Sequence, residues 1–93
     1  MYQRLITPSA AKSLKRISHD AQRELIHATE ILTTNPYSGE KLHGSLSFLY
    51  SFHFKFQNIQ YRVAYSVDDV RELIIIHLVG PRENFYDRVR RLF

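Results

Sequence analysis

The stretch Leu49–Tyr65, LYSFHFKFQNIQYRVAY, decides how this chain folds. From Tyr50 to Gln57 large apolar and polar residues alternate strictly: Tyr50, Phe52, Phe54 and Phe56 point one way, Ser51, His53, Lys55 and Gln57 the other. That is the pattern of a half-buried strand. After a polar bend at Gln57–Gln60, a second run sets Tyr61, Val63, Tyr65 and Val67 against Arg62, Ala64 and Ser66. Two such runs with a short connection predict an antiparallel hairpin. With both apolar rows on one core, the other face gathers His53, Lys55 and Arg62, because cross-strand neighbours lie only about 5 Å apart. Basic residues on an outer face are usually just solvated, yet a titratable imidazole among fixed positive charges suggests a phosphate site.

Upstream, Tyr2–Thr7 alternates weakly and predicts a first strand. Thr7-Pro8 starts a helix over Pro8–Ile17, the hydroxyl capping free amides and the proline sitting where a missing N–H costs nothing. Ser18, with Asp20 behind it, starts a second helix. Its apolar stripe is Ala21, Leu25, Ala28 and Leu32, widened by Ile31, and Asn35-Pro36 closes it. The loop NPYSGEKLHG then delivers the chain into the hairpin. Downstream, Val67–Val70 is a turn and Arg71–Val79 a strand whose apolar residues fall on both parities, so it belongs in the middle of the sheet. His77 interrupts that run and reads as a structural core residue. Gly80-Pro81 ends the strand, Arg82 follows at its rim, and Asn84 caps a last helix with Phe85, Val89 and Leu92 as its stripe. The order of strand, two helices, three strands and helix predicts an α+β domain over residues 1–93, its helices on one face of a mostly antiparallel sheet.

The composition sets bounds. The 93 residues are 44% hydrophobic and 24% charged, ordinary values for a globular protein that folds without staples. There is no cysteine, which removes disulfides, thiolate chemistry and cysteine-ligated metals and suits a reducing cytoplasm. No apolar run is long enough to cross a bilayer and no secretory signal is visible, so a cytoplasmic protein without membrane contact is expected. The net charge of +4 favours anionic partners, nucleic acid or an acidic protein. His19, His27 and His43 lack partners at metal-ligand spacing, so neither metal nor other cofactor is expected.

Three pieces in order, Asn35-Pro36-Tyr37-Ser38-Gly39 leading into Lys41-Leu42-His43-Gly44, then Tyr61-Arg62-Val63-Ala64-Tyr65, then Val79-Gly80-Pro81-Arg82-Glu83-Asn84-Phe85-Tyr86, give the chain a resemblance to the RelE/ParE superfamily of bacterial type II toxins over nearly its whole length. The resemblance implies a microbial-ribonuclease-like fold and a cognate antitoxin as partner. In the RelE-like branch it also implies metal-independent cleavage of messenger RNA, often in the ribosomal A site. Carried over by position, the RelE-like basic set falls on His53, Lys55, Arg62 and Arg82, with the C-terminal aromatic at Tyr86. His53 stands where RelE-type enzymes have a lysine, and Tyr86 lies one residue nearer to the arginine than in the best-known members. The alternative within the superfamily is a ParE-like inhibitor of DNA gyrase that binds without cleaving; a third reading is a module whose basic face holds an acidic protein segment.

Cleavage by 2′-hydroxyl attack needs a base, cations to stabilise the phosphorane and an acid for the departing 5′-oxygen. A lysine near ~10.4 would have to fall by roughly 3, about 4 kcal/mol, to be poised at neutral pH, whereas a histidine near ~6.5 starts there. His53 is therefore the first choice of base, with Lys55, Glu40 and Glu83 as alternatives. Lys55 and Arg62 would hold the scissile phosphate, and Arg82 would stabilise the transition state. Tyr86 would donate the proton or stack on a base, and Glu83 reads as a rim ion pair for Arg82.

Overall fold

In the computed structural model, which describes residues 1–93, the chain runs β1 (Gln3–Ile6), α1 (Pro8–Leu14), α2 (His19–Ala28), β2 (Glu40–Lys41), β3 (Tyr50–Phe56), β4 (Ile59–Asp68), β5 (Leu73–Pro81) and α3 (Phe85–Leu92), with 3₁₀ turns at Thr29–Thr33 and Gly44–Leu46. The sheet order is β1-β5-β4-β3-β2; β1 runs parallel to β5 and every other pair is antiparallel. This is the α+β architecture the sequence predicts, with one strand more. The extra strand β2 lies in the loop before the hairpin, and two residues are too few to show an alternation.

β3 and β4 are joined through Gln57 and Asn58, both at positive φ (49° and 66°). A two-residue connection of that kind matches the twist of the strands it joins. Phe52 stands opposite Val63, His53 opposite Arg62 and Lys55 opposite Gln60. The apolar rows therefore share one face. Val63 and Tyr65 are fully buried there with Ala10, Leu25, Leu32, Ile74, Ile76 and Val79, and Tyr50, Phe52 and Phe54 pack against them. Each buried aliphatic side chain of this kind is worth about 1.5–3 kcal/mol.

Both helix starts form as predicted: Thr7 Oγ1 accepts from the Ala10 amide at 3.1 Å and Ser18 Oγ from the Ala21 amide at 3.1 Å. α1 is shorter than Pro8–Ile17, ending at Leu14. After Ala28 the second helix tightens to 3₁₀, in which residues three apart eclipse, so Thr29 and Leu32 are the buried pair and Ile31 is 48% exposed rather than widening the stripe. Arg4 Nη1 reaches across from β1 to donate to Ile26 O at 2.5 Å and Thr29 Oγ1 at 3.1 Å, a cation at the negative end of α2.

The helices do not all lie on one face. α1 and α2 cover one side of the sheet, while α3 packs on the other, where Phe85 and Val89 join Leu49, Ala64 and Leu78 in a second core. A β-bulge makes this possible. Tyr65 pairs with Ile76 and Ala64 with Leu78, so His77 is the extra residue and the side-chain parity of β5 changes there. Ile74 and Ile76 face α1 and α2 before it; after it Val79 takes that side and Leu78 meets α3. His77 Nε2 is hydrogen-bonded to Ser66 Oγ at 2.8 Å, and its ring meets Phe93 edge-on at 5.2 Å, the structural role expected of it. Asn84 precedes α3 without capping it: it adopts the left-handed conformation (φ 58°) and its side chain accepts no cap hydrogen bond.

Candidate functional site

α3 covers only part of its sheet face, and the end toward the β3–β4 turn stays open. His53 and Arg62 are direct cross-strand partners there, with Gly80 next to Arg62 on β5. One row further on come Lys55 and Gln60, and the Arg82 amide continues the ladder by donating to Gln60 O at 3.0 Å. This register puts Arg62 and Arg82 on the same face. Arg82 Nη1 lies 3.3 Å from Gln60 Oε1, and Arg82 is not paired with Glu83, contrary to the expected rim ion pair; the ion pairs of the molecule include none of Lys55, Arg62 and Arg82. Their charge is available to a ligand.

Tyr86, in the first turn of α3, comes over the same patch. Its hydroxyl accepts from Arg62 Nη1 at 2.5 Å, and the guanidinium carbon lies 5.1 Å from the ring centroid. The tyrosine fixes the arginine's direction, and a cation–π contact of this kind contributes about 0.5–1 kcal/mol at a partly exposed position. All five predicted residues thus stand on one open face. His53, Lys55, Gln60 and Arg62 border a shallow groove of about 210 Å³, and Asn58, Gln60, Pro81 and Arg82 a neighbouring hollow of about 490 Å³.

The imidazole of His53 is 42% exposed, its Nε2 3.1 Å from Ser51 Oγ and 4.0 Å from Glu40 Oε2. Partial burial, followed by the positive charge of Arg62, holds it below its ordinary 6.5 and outweighs the opposing pull of Glu40. At neutral pH this imidazole is uncharged and able to accept a proton.

Glu40 belongs to the site more closely than its flanking place in the sequence indicates. β2 sets it opposite Ser51, beside His53. The loop that carries it is fixed by Tyr65, a fully buried ring whose hydroxyl donates to Pro36 O at 2.8 Å and accepts from the Gly39 amide at 3.0 Å. Gly39 has to be glycine: a Cβ there would sit 2.6 Å from the Tyr65 hydroxyl. The legible signal was a glycine immediately before an acidic residue, one element ahead of the hairpin. Glu83 lies outside this cluster, at the hollow beside Arg82.

Comparison with known proteins agrees with this architecture. A family described as ParE-like toxin of type II bacterial toxin-antitoxin system matches residues 5–90. Among solved structures, the chain resembles the RelBE2 toxin-antitoxin complex of Mycobacterium tuberculosis (TM-score 0.76, 23% identity, covering 87% of this chain and 98% of that one). It also resembles a mutant of E. coli toxin RelE in the free state (TM-score 0.74, 20% identity, 99% and 98% covered) and a chain of the intact E. coli RelBE toxin-antitoxin complex (TM-score 0.70, 18% identity, 86% and 95% covered). At these identities the structural likeness establishes the shared fold. No curated protein sequence matches the chain. The family match runs from β1 into α3, through every element that builds the open basic face, and the chain accordingly belongs to the ParE-like toxins of type II bacterial toxin-antitoxin systems, within the RelE/ParE superfamily.

Proposed function

We propose that this toxin is a metal-independent mRNA endonuclease that cuts ribosome-bound message in the cytoplasm and is held inactive by a cognate antitoxin covering the basic face. The observation that carries the reading is an imidazole kept neutral directly opposite Arg62, on a face where Lys55, Arg62 and Arg82 have no carboxylate partner. His53 takes the proton of the 2′-hydroxyl, and the 2′-oxygen attacks phosphorus as the bond to the 5′-oxygen breaks, leaving a cyclic phosphate and a free 5′-hydroxyl. Lys55 and Arg62 bind the phosphate oxygens and Arg82 stabilises the added negative charge, in the way preorganised cations lower such barriers. Tyr86 orients Arg62 and either donates the proton to the leaving oxygen or stacks on a base. Glu40, 4.0 Å from His53, is the alternative base.

The family's description as ParE-like supports a second reading, a DNA gyrase inhibitor that acts by binding alone. A gyrase binder has no need of a neutral imidazole among phosphate-binding cations, and that favours the nuclease. Induced expression separates the two: the nuclease reading expects arrested protein synthesis with truncated transcripts, whereas an SOS response with intact transcripts points to gyrase. Arg62→Ala and Arg82→Ala should each abolish toxicity with the fold retained. Full toxicity from the double variant rejects the proposed chemistry.

A further inference from the structure

β1 stops at Ile76's partner while β5 continues to Pro81, leaving a strand edge that α1 covers. Ser13, buried, accepts the Val79 amide at 3.0 Å and donates to Ala10 O at 2.8 Å. α3 approaches the same edge from the other face, and between the two helices opens a groove of about 280 Å³ with Lys12 and Arg16 on one wall and Arg88 and Arg91 on the other. None of these four cations has a carboxylate partner; Asp20 and Asp87, the nearest acids along α2 and α3, are taken by Arg23 and Arg90. Arg88 and Arg91 are three apart on α3, a spacing at which like charges destabilise; Lys12 lies on α1 and Arg16 in the turn that follows it. Arg88 is partly buried, its Nη1 so close over Gly80 that a Cβ there would collide with it. Burial first, then Arg16 and Arg91, weaken its hold on its proton. Four cations crowded together at a cost to the free protein call for an anionic ligand.

Gly80 stands opposite Arg62, so Arg88 links this groove to the open basic face. Leu78 and Leu92 are the only apolar residues that line it, too few to seat the hydrophobic face of a partner helix. Guanidinium forks suit phosphate oxygens. We infer that the groove between α1 and α3 is a second phosphate site, holding the sugar-phosphate backbone of RNA outside the nucleotide bound at Arg62. The choice of RNA as ligand rests on the ribonuclease reading.

The probes are 2′-O-methylated RNAs that cannot be cut: a trinucleotide, a single strand of about a dozen nucleotides, and a hairpin, each titrated against wild type and K12Q/R16Q/R91Q by fluorescence anisotropy. The three substituted positions are exposed, and a melting temperature at or above that of wild type establishes that the variant is folded. Trinucleotide affinity is expected to stay unchanged. With three phosphate-binding cations neutralised, the salt slope for the long strand falls by about 2, and wild type loses about sixteenfold more affinity than the variant between about 50 and 200 mM salt. Gly80→Ala, which pushes Arg88 aside, weakens the long strand in the same direction. A loss on the single strand identifies the ligand as message continuing from the site, and a loss on the hairpin alone identifies structured RNA; both sustain the phosphate groove. Unchanged affinity and salt slope on both long probes overturn it, as does a loss confined to a polyglutamate peptide titrated alongside the RNAs as a stand-in for an acidic protein segment. Should wild type cut no RNA yet show the groove-dependent gain with length, the nuclease reading falls and the groove stands; should wild type cut RNA while the triple variant binds the long probes as wild type does, the groove falls and the nuclease stands.

Discussion

At the scale of single residues, the charge state of His53 decides what the open face can do. Burial and Arg62 depress its pKa below 6.5, so folding favours the neutral ring. Stability tied to it is present above that range and lost as pH falls and the ring must charge. If His53 is the base, the rate profile has an acid limb with its midpoint below 6.5, matching the ring's own titration followed by NMR. His53→Gln should remove cleavage while RNA binding persists; unchanged cleavage would move the base to Lys55 or Glu40. Tyr65 acts at one remove. Tyr65→Phe strips the Pro36 carbonyl and Gly39 amide of their partner, and a chemical-denaturation midpoint should record a loss of about 1–3 kcal/mol. Gly39→Ala, facing a fully buried ring that cannot withdraw, should cost a similar amount by forced overpacking, about 1–3 kcal/mol.

At the scale of elements, the bulge at His77 does most to shape the molecule. An unbulged β5 would send Val79 toward α3 and Leu78 toward α1, exchanging the two cores' side chains. Deleting His77 instead sets Leu78 directly after Ile76, still opposite Ala64, so each core keeps its side chains and the variant should still melt cooperatively; loss of the cooperative melt would count against His77 as the extra residue that divides the cores. The starts of α1 and α2 are simpler. Thr7→Ala removes an N-cap that also donates to Ile76 O at 3.1 Å, and about 1 kcal/mol or somewhat more should be lost. Ser18→Ala, without the second bond, should lose about 1 kcal/mol.

At the scale of the whole molecule, a single carboxylate ties distant parts of the chain together. Asp69, in the turn between β4 and β5, accepts from the hydroxyls of Tyr2 at the N-terminus and Tyr37 in the loop before β2. Those bonds lower the carboxyl's pKa and push both phenols up to about 12. For the tyrosines, the folded value lies above the ordinary 10.0, so their contribution is complete below pH 10 and lost on the way to about 12. For Asp69 it is present above the ordinary 3.8 and lost as pH falls through the depressed value. Thermal melts should show an alkaline fall in stability between pH 10 and 12 that is reduced in Asp69→Asn, which has no charge to hold the phenols protonated.

The amino-acid order alone determined what depends on neighbours in the chain. Period-two alternation fixed β3, β4 and the side on which His53, Lys55 and Arg62 stand, and Thr7, Pro8 and Ser18 fixed the helix starts, because caps and pleats act within a few residues. Tertiary structure decided what depends on contacts far apart in sequence. β2 exists only because Tyr65 and Ser51 hold its loop against β3, and that contact brings Glu40 to His53. The helix face was decided the same way: Phe85 and Val89 could settle on either side until the bulge at His77 turned Leu78 to meet them, and a change of parity inside an unbroken apolar run leaves no mark in the pattern of residue types.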